Sequence, residues 1–326
     1  MAHHHKLTVV LVNMGGPETL EEIEPFLLNL FNDPDIIEIF GGRLFRPYVA
    51  RMIVKRRLPE VTENYRLIGG GSPLLSITRQ QAKALQRALA PNFSADVRIA
   101  MRYTRPFTDE VFADLPNGHP VLVLPLYPHF SSTTTGSSFN EIRRHFKKHR
   151  KRMEGIIFIN DYHDHPKFIE AWVQQIQQTI QQMPEDHLRQ AVFLYSAHGV
   201  PEYVIRRGDP YQQQIERSVA LIHKALGLPN PYFVTYQSKV GRRKWLEPST
   251  EHQLITLGKA RTPAVVVVPI SFVSEHSETL YELDMMLKDI ALEAGVGAYY
   301  RVPTFNDFQP YIETLKEVVL QYGKAN

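Results

Sequence analysis

The 326-residue chain contains no cysteine. Disulfides, thiolate nucleophiles, cysteine zinc sites and cysteine-ligated iron–sulfur clusters are therefore excluded together. Long apolar runs are also missing. Leu7 to Val12 is broken at once by Met14-Gly15-Gly16-Pro17, too short for a signal-peptide core or a membrane span, and nothing later approaches eighteen apolar residues. Nor is there an excess of one charge. Lys and Arg total 37 against 34 Asp and Glu, a formal net charge of +3. That is too little to argue for a nucleic-acid partner and is compatible with anionic small molecules or a membrane surface. The expectation is a cytoplasmic protein, peripheral at most on the inner face of a membrane. His3, His4 and His5 stand where a purification tag would, and carry no weight as metal ligands.

What is present reads as an ordinary globular composition, 43% hydrophobic and 22% charged, with length for two cores. Short β-branched runs alternate with stretches long enough for a crossover helix: Leu7 to Asn13, Val97 to Tyr103, Val121 to Leu126 and Ile156 to Asn160, then Ala191 to Ala197, Pro231 to Tyr236, Ala264 to Ile270 and Gly297 to Val302. That alternation predicts an α/β fold of two units joined near residue 160, each a parallel sheet flanked by helices. The units span 6–160 and 161–304, and the apolar spacing from Phe308 to Tyr322 predicts a final helix, within 305–326, that packs back on the first. More than eighty residues separate the first two strands and include Phe26 to Phe31 and Ile36 to Tyr48, with Arg51, Lys55, Arg56 and Arg57 nearby. So much apolar sequence reads either as a flap over a pocket or membrane, or as a buried helical hairpin.

Two segments carry chemistry. Val265 to Ile270 feeds Ser271-Phe272-Val273-Ser274-Glu275-His276-Ser277-Glu278, and helical spacing would put Glu275, Glu278 and Glu282 in one row with His276 beside it. Such a row can pass protons or hard cations, although acidic residues in a first turn also simply complement the helix dipole. Tyr195-Ser196-Ala197-His198-Gly199 ends another strand with a histidine, where doubly wound sheets place their ligands. Gly69-Gly70-Gly71-Ser72-Pro73 lacks the frame of a nucleotide loop and can serve as a carboxylate cradle or a plain loop-to-helix turn. His145 and His149 lie among Arg143, Arg144, Lys147, Lys148, Arg150, Lys151 and Arg152, whose repulsion argues against a metal there. His163 and His165 read as loop residues.

Several motifs then stand in one order: Asn13-Met14-Gly15-Gly16-Pro17, Tyr65 to Pro73, Arg102-Tyr103, Tyr127-Pro128-His129-Phe130-Ser131, Ser196-Ala197-His198, Gly208 to Tyr211, Gln237 to Gly241 and Ser274 to Leu280. From Leu7 to the C-terminal helix the chain closely resembles the ferrochelatase family, whose members insert ferrous iron into a porphyrin to make haem. The resemblance implies two Rossmann-like domains with the porphyrin in the cleft between them. It implies His198 and Glu278 as catalytic residues, these two with Glu275 as metal-contacting groups, and His276 and Glu282 as the continuing proton or metal path. Porphyrin-binding positions by the same likeness are Met14, Arg57, Tyr65, Ser72, Arg102, Tyr103, Tyr127, Ser131 and Phe272.

The likeness further implies Fe2+ as a substrate, no tightly bound cofactor, and no iron–sulfur cluster, since cluster-bearing members use cysteines. The cysteine-bearing extension of dimeric members is missing, which suggests a monomer. Met14, where the coproporphyrin branch has tyrosine, points to protoporphyrin IX. The competing readings are a coproporphyrin ferrochelatase, a related cobalt or nickel chelatase, and a haem or porphyrin carrier, which would not need the acidic row.

Overall fold

The computed structural model describes residues 5–36, 44–115, 120–241 and 243–323. His3, His4 and the stretch 37–43 of the expected flap lie outside them. Contacts divide the chain into Met1–Asp161 with Leu315–Asn326, and Tyr162–Thr314.

The first unit contains β1 (His5–Asn13), α1 (Ile23–Phe31), α2 (Arg46–Leu67), α3 (Leu74–Leu89), β2 (Phe93–Met101), α4 (Thr108–Ala113), β3 (Val121–Pro125), α5 (Ser137–Lys148) and β4 (Ile156–Phe158). Its sheet is parallel, in the order β2-β1-β3-β4. Val9 to Val12 on β1 and Leu122 to Leu124 on β3 are buried on both faces, as the central strands of a helix-covered sheet must be. The order reverses direction between β1 and β3, so their carboxyl ends, Asn13-Met14 and Leu126-Tyr127, border a crevice.

The long connection after β1 is a helical hairpin. Ile23, Phe26, Leu27 and Phe31 of α1 pack on Ala50, Val54 and Tyr65 of α2, which decides for burial over most of α1. The beginning of α2 behaves otherwise. Leu44, Phe45, Tyr48 and Met52 are 87%, 61%, 65% and 54% exposed, and the last three recur at helical spacing.

The second unit contains α6 (Pro166–Ile180), α7 (Glu185–Gln190), β5 (Ala191–His198), α8 (Glu202–Arg206), α9 (Tyr211–Leu226), β6 (Tyr232–Gln237), α10 (Thr250–Lys259), β7 (Ala264–Val268), a π-helical segment (Glu278–Met286), α11 (Leu287–Ala294) and β8 (Tyr299–Arg301). The strand order β6-β5-β7-β8 repeats the plan of the first sheet, again all parallel. The all-valine stretch of β7 is fully buried. Here the reversal falls between β5 and β7, which places His198 and the Ser271–Glu278 segment at one crevice. The last helix, α12 (Gln309–Gly323), buries Leu315, Val318 and Val319, and its final residue Gly323 lies against Phe93 and Leu7 of the first sheet.

One expectation fails in detail. Glu275 is not on the helix that carries Glu278 and Glu282: it sits in the loop before it, and that helix is π-helical rather than α-helical. Wider i→i+5 turns bring residues four apart nearer to one line than a 3.6-residue turn does, so Glu278 and Glu282 still share a face.

Candidate active site

At the carboxyl end of β5, the His198 main-chain N–H donates to Ser271 Oγ at 2.9 Å, and Tyr211 donates its hydroxyl to the His198 carbonyl at 3.0 Å. With the backbone held on both sides, the ring points its Nδ1 at Glu278 Oε2, 2.8 Å away. Donation from Nδ1 fixes the tautomer and leaves Nε2 as the nitrogen able to take a proton. Phe272 stands between two imidazoles, its ring centroid 6.5 Å from His198 and 4.7 Å from His276. His276 is buried, donates Nδ1–H to the Ser274 carbonyl at 2.9 Å, and keeps Nε2 at 3.8 Å from Glu278 Oε2.

Burial works against charge on Glu278, but His198 and His276 outweigh it and hold the carboxyl well below the usual carboxylate range. His198 moves the opposite way: burial again opposes its charge, yet Glu278 and then Glu282 raise it above an ordinary imidazole. Together they form a hydrogen-bonded pair that becomes an ion pair when the ring takes up a proton. Glu282 differs from both. Burial, then repulsion from Glu278, raise its pKa, against hydrogen bonds that favour the anion: the N–H and Oγ–H of Ser238 reach its carboxylate at 2.8 and 2.6 Å.

Glu275 belongs to a separate arrangement. Arg301, at the end of β8, donates Nη1–H to Glu275 Oε1 at 2.6 Å and grips Asp284 through Nε and Nη2 at 2.7 and 2.5 Å. The Thr304 N–H adds a bond to the same Glu275 oxygen at 3.0 Å. Burial opposes its charge and Arg301 outweighs burial, so Glu275 stays anionic, with Oε2 buried and without a hydrogen-bond partner.

In the first unit, Arg102 and Tyr103 converge on a residue that the sequence did not single out. Asp33, its side chain fully buried, receives Arg102 Nη2 at 2.9 Å, the Tyr103 hydroxyl at 2.6 Å and the Ser137 hydroxyl. Met14 is half-buried beside the α1–α2 cluster that encloses Tyr65, and Arg57 lies half-buried on α2. Tyr127 is half-buried, and burial pushes its phenol well up. Ser72 Oγ accepts the Leu74 N–H and packs under Gly16, while Ser131 Oγ accepts the Thr133 N–H. Ser131 thus caps the helical turn that follows it, and Ser72 closes the turn that leads into α3.

Ser238, Gln237, Ser271 and Arg301 also escaped the sequence reading as site residues. Gln237 donates to the Glu278 carbonyl at 2.9 Å and accepts from Ser196. Each ends a parallel strand or lies within three residues of its carboxyl end, which is the signal that could have found them.

A family model described as ferrochelatase matches residues 6–322. The ferrochelatase of Aquifex aeolicus is 43% identical over 317 residues, covering 96% of this chain and 98% of its own. That of a Nostoc species is 44% identical over 321 residues, covering 97% of this chain and 82% of its own. Among solved structures, SirB from Bacillus subtilis with Fe3+ superposes at a TM-score of 0.56 with 11% identity, covering 98% of both chains. DR2241 from Deinococcus radiodurans, described as similar to chelatases, superposes at 0.52 with 13% identity over 95% of this chain and 53% of that one. Those two likenesses establish the fold. The family model and the close relatives establish more: the chain belongs to the ferrochelatase family.

Proposed function

We propose that the porphyrin taken by this iron-inserting lyase is protoporphyrin IX, and that the His198–Glu278 pair handles the protons of the reaction. Ferrous iron and a porphyrin are the substrates of the family, in haem synthesis. Each insertion exchanges one Fe2+ for two pyrrole N–H protons. A base must therefore meet the macrocycle, and a route must lead protons away. The observation that carries the assignment is the 2.8 Å contact of His198 Nδ1 with Glu278. It keeps Nε2 as the acceptor and balances the imidazolium formed when that acceptor is used. Glu282, with its raised pKa and its seat on Ser238, is the next carrier outward, and His276 borders the path. Carboxylate and imidazole suit Fe2+ without holding it as thiolates would, so Glu278, His198 and the free oxygen of Glu275 serve as transient metal contacts.

Phe272, rigid between two rings, gives the porphyrin an apolar wall. Met14, Arg57, Tyr65, Ser72, Arg102, Tyr103, Tyr127 and Ser131 are the porphyrin-side set, with Arg102 and Tyr103 locked in place through Asp33. The test is anaerobic incubation with Fe2+ and either protoporphyrin IX or coproporphyrin III, following porphyrin fluorescence and the haem spectrum. Multiple turnovers with protoporphyrin are expected, and Met14→Tyr shifts preference toward coproporphyrin. Tight binding of either porphyrin without turnover would instead support a carrier.

No described helix is long and apolar enough to cross a membrane. The exposed row of Phe45, the residue before α2, with Tyr48 and Met52 on it and Arg51, Lys55 and Arg56 beside them, suits peripheral contact of a cytoplasmic monomer with an anionic surface. The protein is expected to sediment with anionic liposomes at low salt and to be released near 0.5 M salt, where screening shortens to roughly 4 Å. Complete absence from the liposome pellet at low salt overturns this.

A further inference from the structure

Besides the residues assigned to iron insertion, the first unit assembles a group of ligating side chains from two helices. Asp109 lies in the first turn of α4. His145 and His149, four residues apart at the carboxyl end of α5, place their ring centroids 4.6 Å from one another. One ligating atom from each of the three residues lies within 4.8 Å of the others. Asp109 Oδ1 is already 2.9 Å from His145 Nδ1, about the spacing of neighbouring ligands around an ion with bonds of roughly 2.0–2.2 Å. We propose that Asp109, His145 and His149 form a divalent transition-metal site separate from the reacting centre.

The donor set selects the class of ion. Two imidazoles and one carboxylate suit Zn2+, Co2+, Ni2+ or Fe2+ and suit Mg2+ or Ca2+ poorly. Much of the ordering is in place before an ion arrives. His145 is 1% exposed, wedged between the rings of Phe112 and Phe146 at 6.1 and 5.3 Å. Its Nε2 is buried there without a hydrogen-bond partner, so exchange with a ligand runs through Nδ1. His149 is exposed and closes the remaining distance by a side-chain rotation. His145 sits in the last turn of α5 and His149 is its C-cap, where the helix presents the negative end of its dipole.

The basic run around the histidines is the objection the sequence raised, and the fold answers part of it. Arg144 is paired with Glu141 at 2.8 Å and Asp35 at 3.1 Å. Lys148 takes Asp109 Oδ2 at 2.6 Å, which neutralises one oxygen and leaves Oδ1 turned to the imidazole. The remaining cations of the run act through solvent, where screening limits their reach to about 10 Å. Access is open, because Asp109, His145 and Lys148 line a groove of about 1300 Å³, whose lining also includes Asp33 and Arg102.

The test uses the full chain with His3, His4 and His5 changed to alanine, which removes competing imidazoles. Anaerobic Co2+ titration followed by visible absorption gives affinity and stoichiometry, and diffraction at the cobalt edge locates the ions. The expected result is an anomalous peak among Asp109, His145 and His149. His149→Ala or Asp109→Asn should each weaken that site by about tenfold or more with the iron-insertion rate unchanged. His149 is exposed, so its replacement leaves folding intact. A cobalt map with no peak at these three residues at saturation, or a cobalt affinity identical in the His149→Ala protein, overturns the proposal. A peak at His198 alone also overturns it, and that outcome leaves the assignment of the reacting centre standing.

Discussion

His198→Ala lowers kcat for iron insertion by about 10²–10⁴-fold, the range of a positioned acid–base group, while porphyrin binding, followed by fluorescence quenching, stays within roughly twofold. Near-normal turnover in this variant would end the role given to the ring. The pH profile sharpens the expectation. Burial disfavours the charged ring, but Glu278 and Glu282 outweigh it and set the His198 pKa above its ordinary 6.5. A base must be neutral to accept a pyrrole proton, so kcat rises with pH along a limb displaced above that of a free imidazole. Glu278→Gln removes the principal partner, and the limb then moves to lower pH even as the plateau falls. An acid limb that does not respond to Glu278→Gln contradicts the coupling. Linkage gives an independent check by unfolding. His198 contributes stability that is full below pH 6.5 and lost as pH rises through its folded value. Glu278 contributes stability present above pH 4.5 and lost as pH falls through its own folded value. The stabilising window of the pair therefore spans the interval between, and Glu278→Gln flattens it.

Arg301→Met destabilises the second unit. The guanidinium, 13% exposed, is the cation held by both Glu275 and Asp284, whose side chains are 11% and 33% exposed. Removing it strands two carboxylates, and breaking a buried pair from one side costs about 3–5 kcal/mol. For a unit of this size that corresponds to a fall in Tm of roughly 10 °C, measured by circular dichroism. Arg301→Lys keeps the charge but loses the planar fork that reaches both partners, so its Tm lies between the two. In the triple change of Arg301→Met with Glu275→Gln and Asp284→Asn, the charges disappear together and most of the stability returns. A melting point for Arg301→Met within a degree or two of the wild type would refute this account.

The central strands were legible because they hold short apolar runs buried on both faces, as at Val265 to Val268. His198 was legible for a related reason: a histidine directly after such a run must fall at a carboxyl end. Glu275 was misplaced because its spacing from Glu278 also satisfies an α-helix, and only tertiary contacts with Arg301 and Thr304 reveal that the chain is still a loop there. A π-helix has no distinct apolar signature over nine residues, so the widened turn at Glu278–Met286 was invisible. Asp33 stayed hidden in Asn32-Asp33-Pro34, which reads as turn chemistry. Its partners Arg102 and Ser137 are remote in sequence, and no local pattern announces a buried charge that distant residues neutralise.

The two sheets share one strand order, but their first crossovers differ greatly in length: nearly eighty residues join β1 to β2, whereas about thirty join β5 to β6. The surplus, which includes α1 and α2, is thus an insertion into one copy of a repeated plan, and the residues proposed to handle protons, His198, Glu278 and Glu282, all belong to the other copy. On the function proposed above, the length and apolar face of that insertion can change without disturbing the sheet that carries the proposed proton-handling residues.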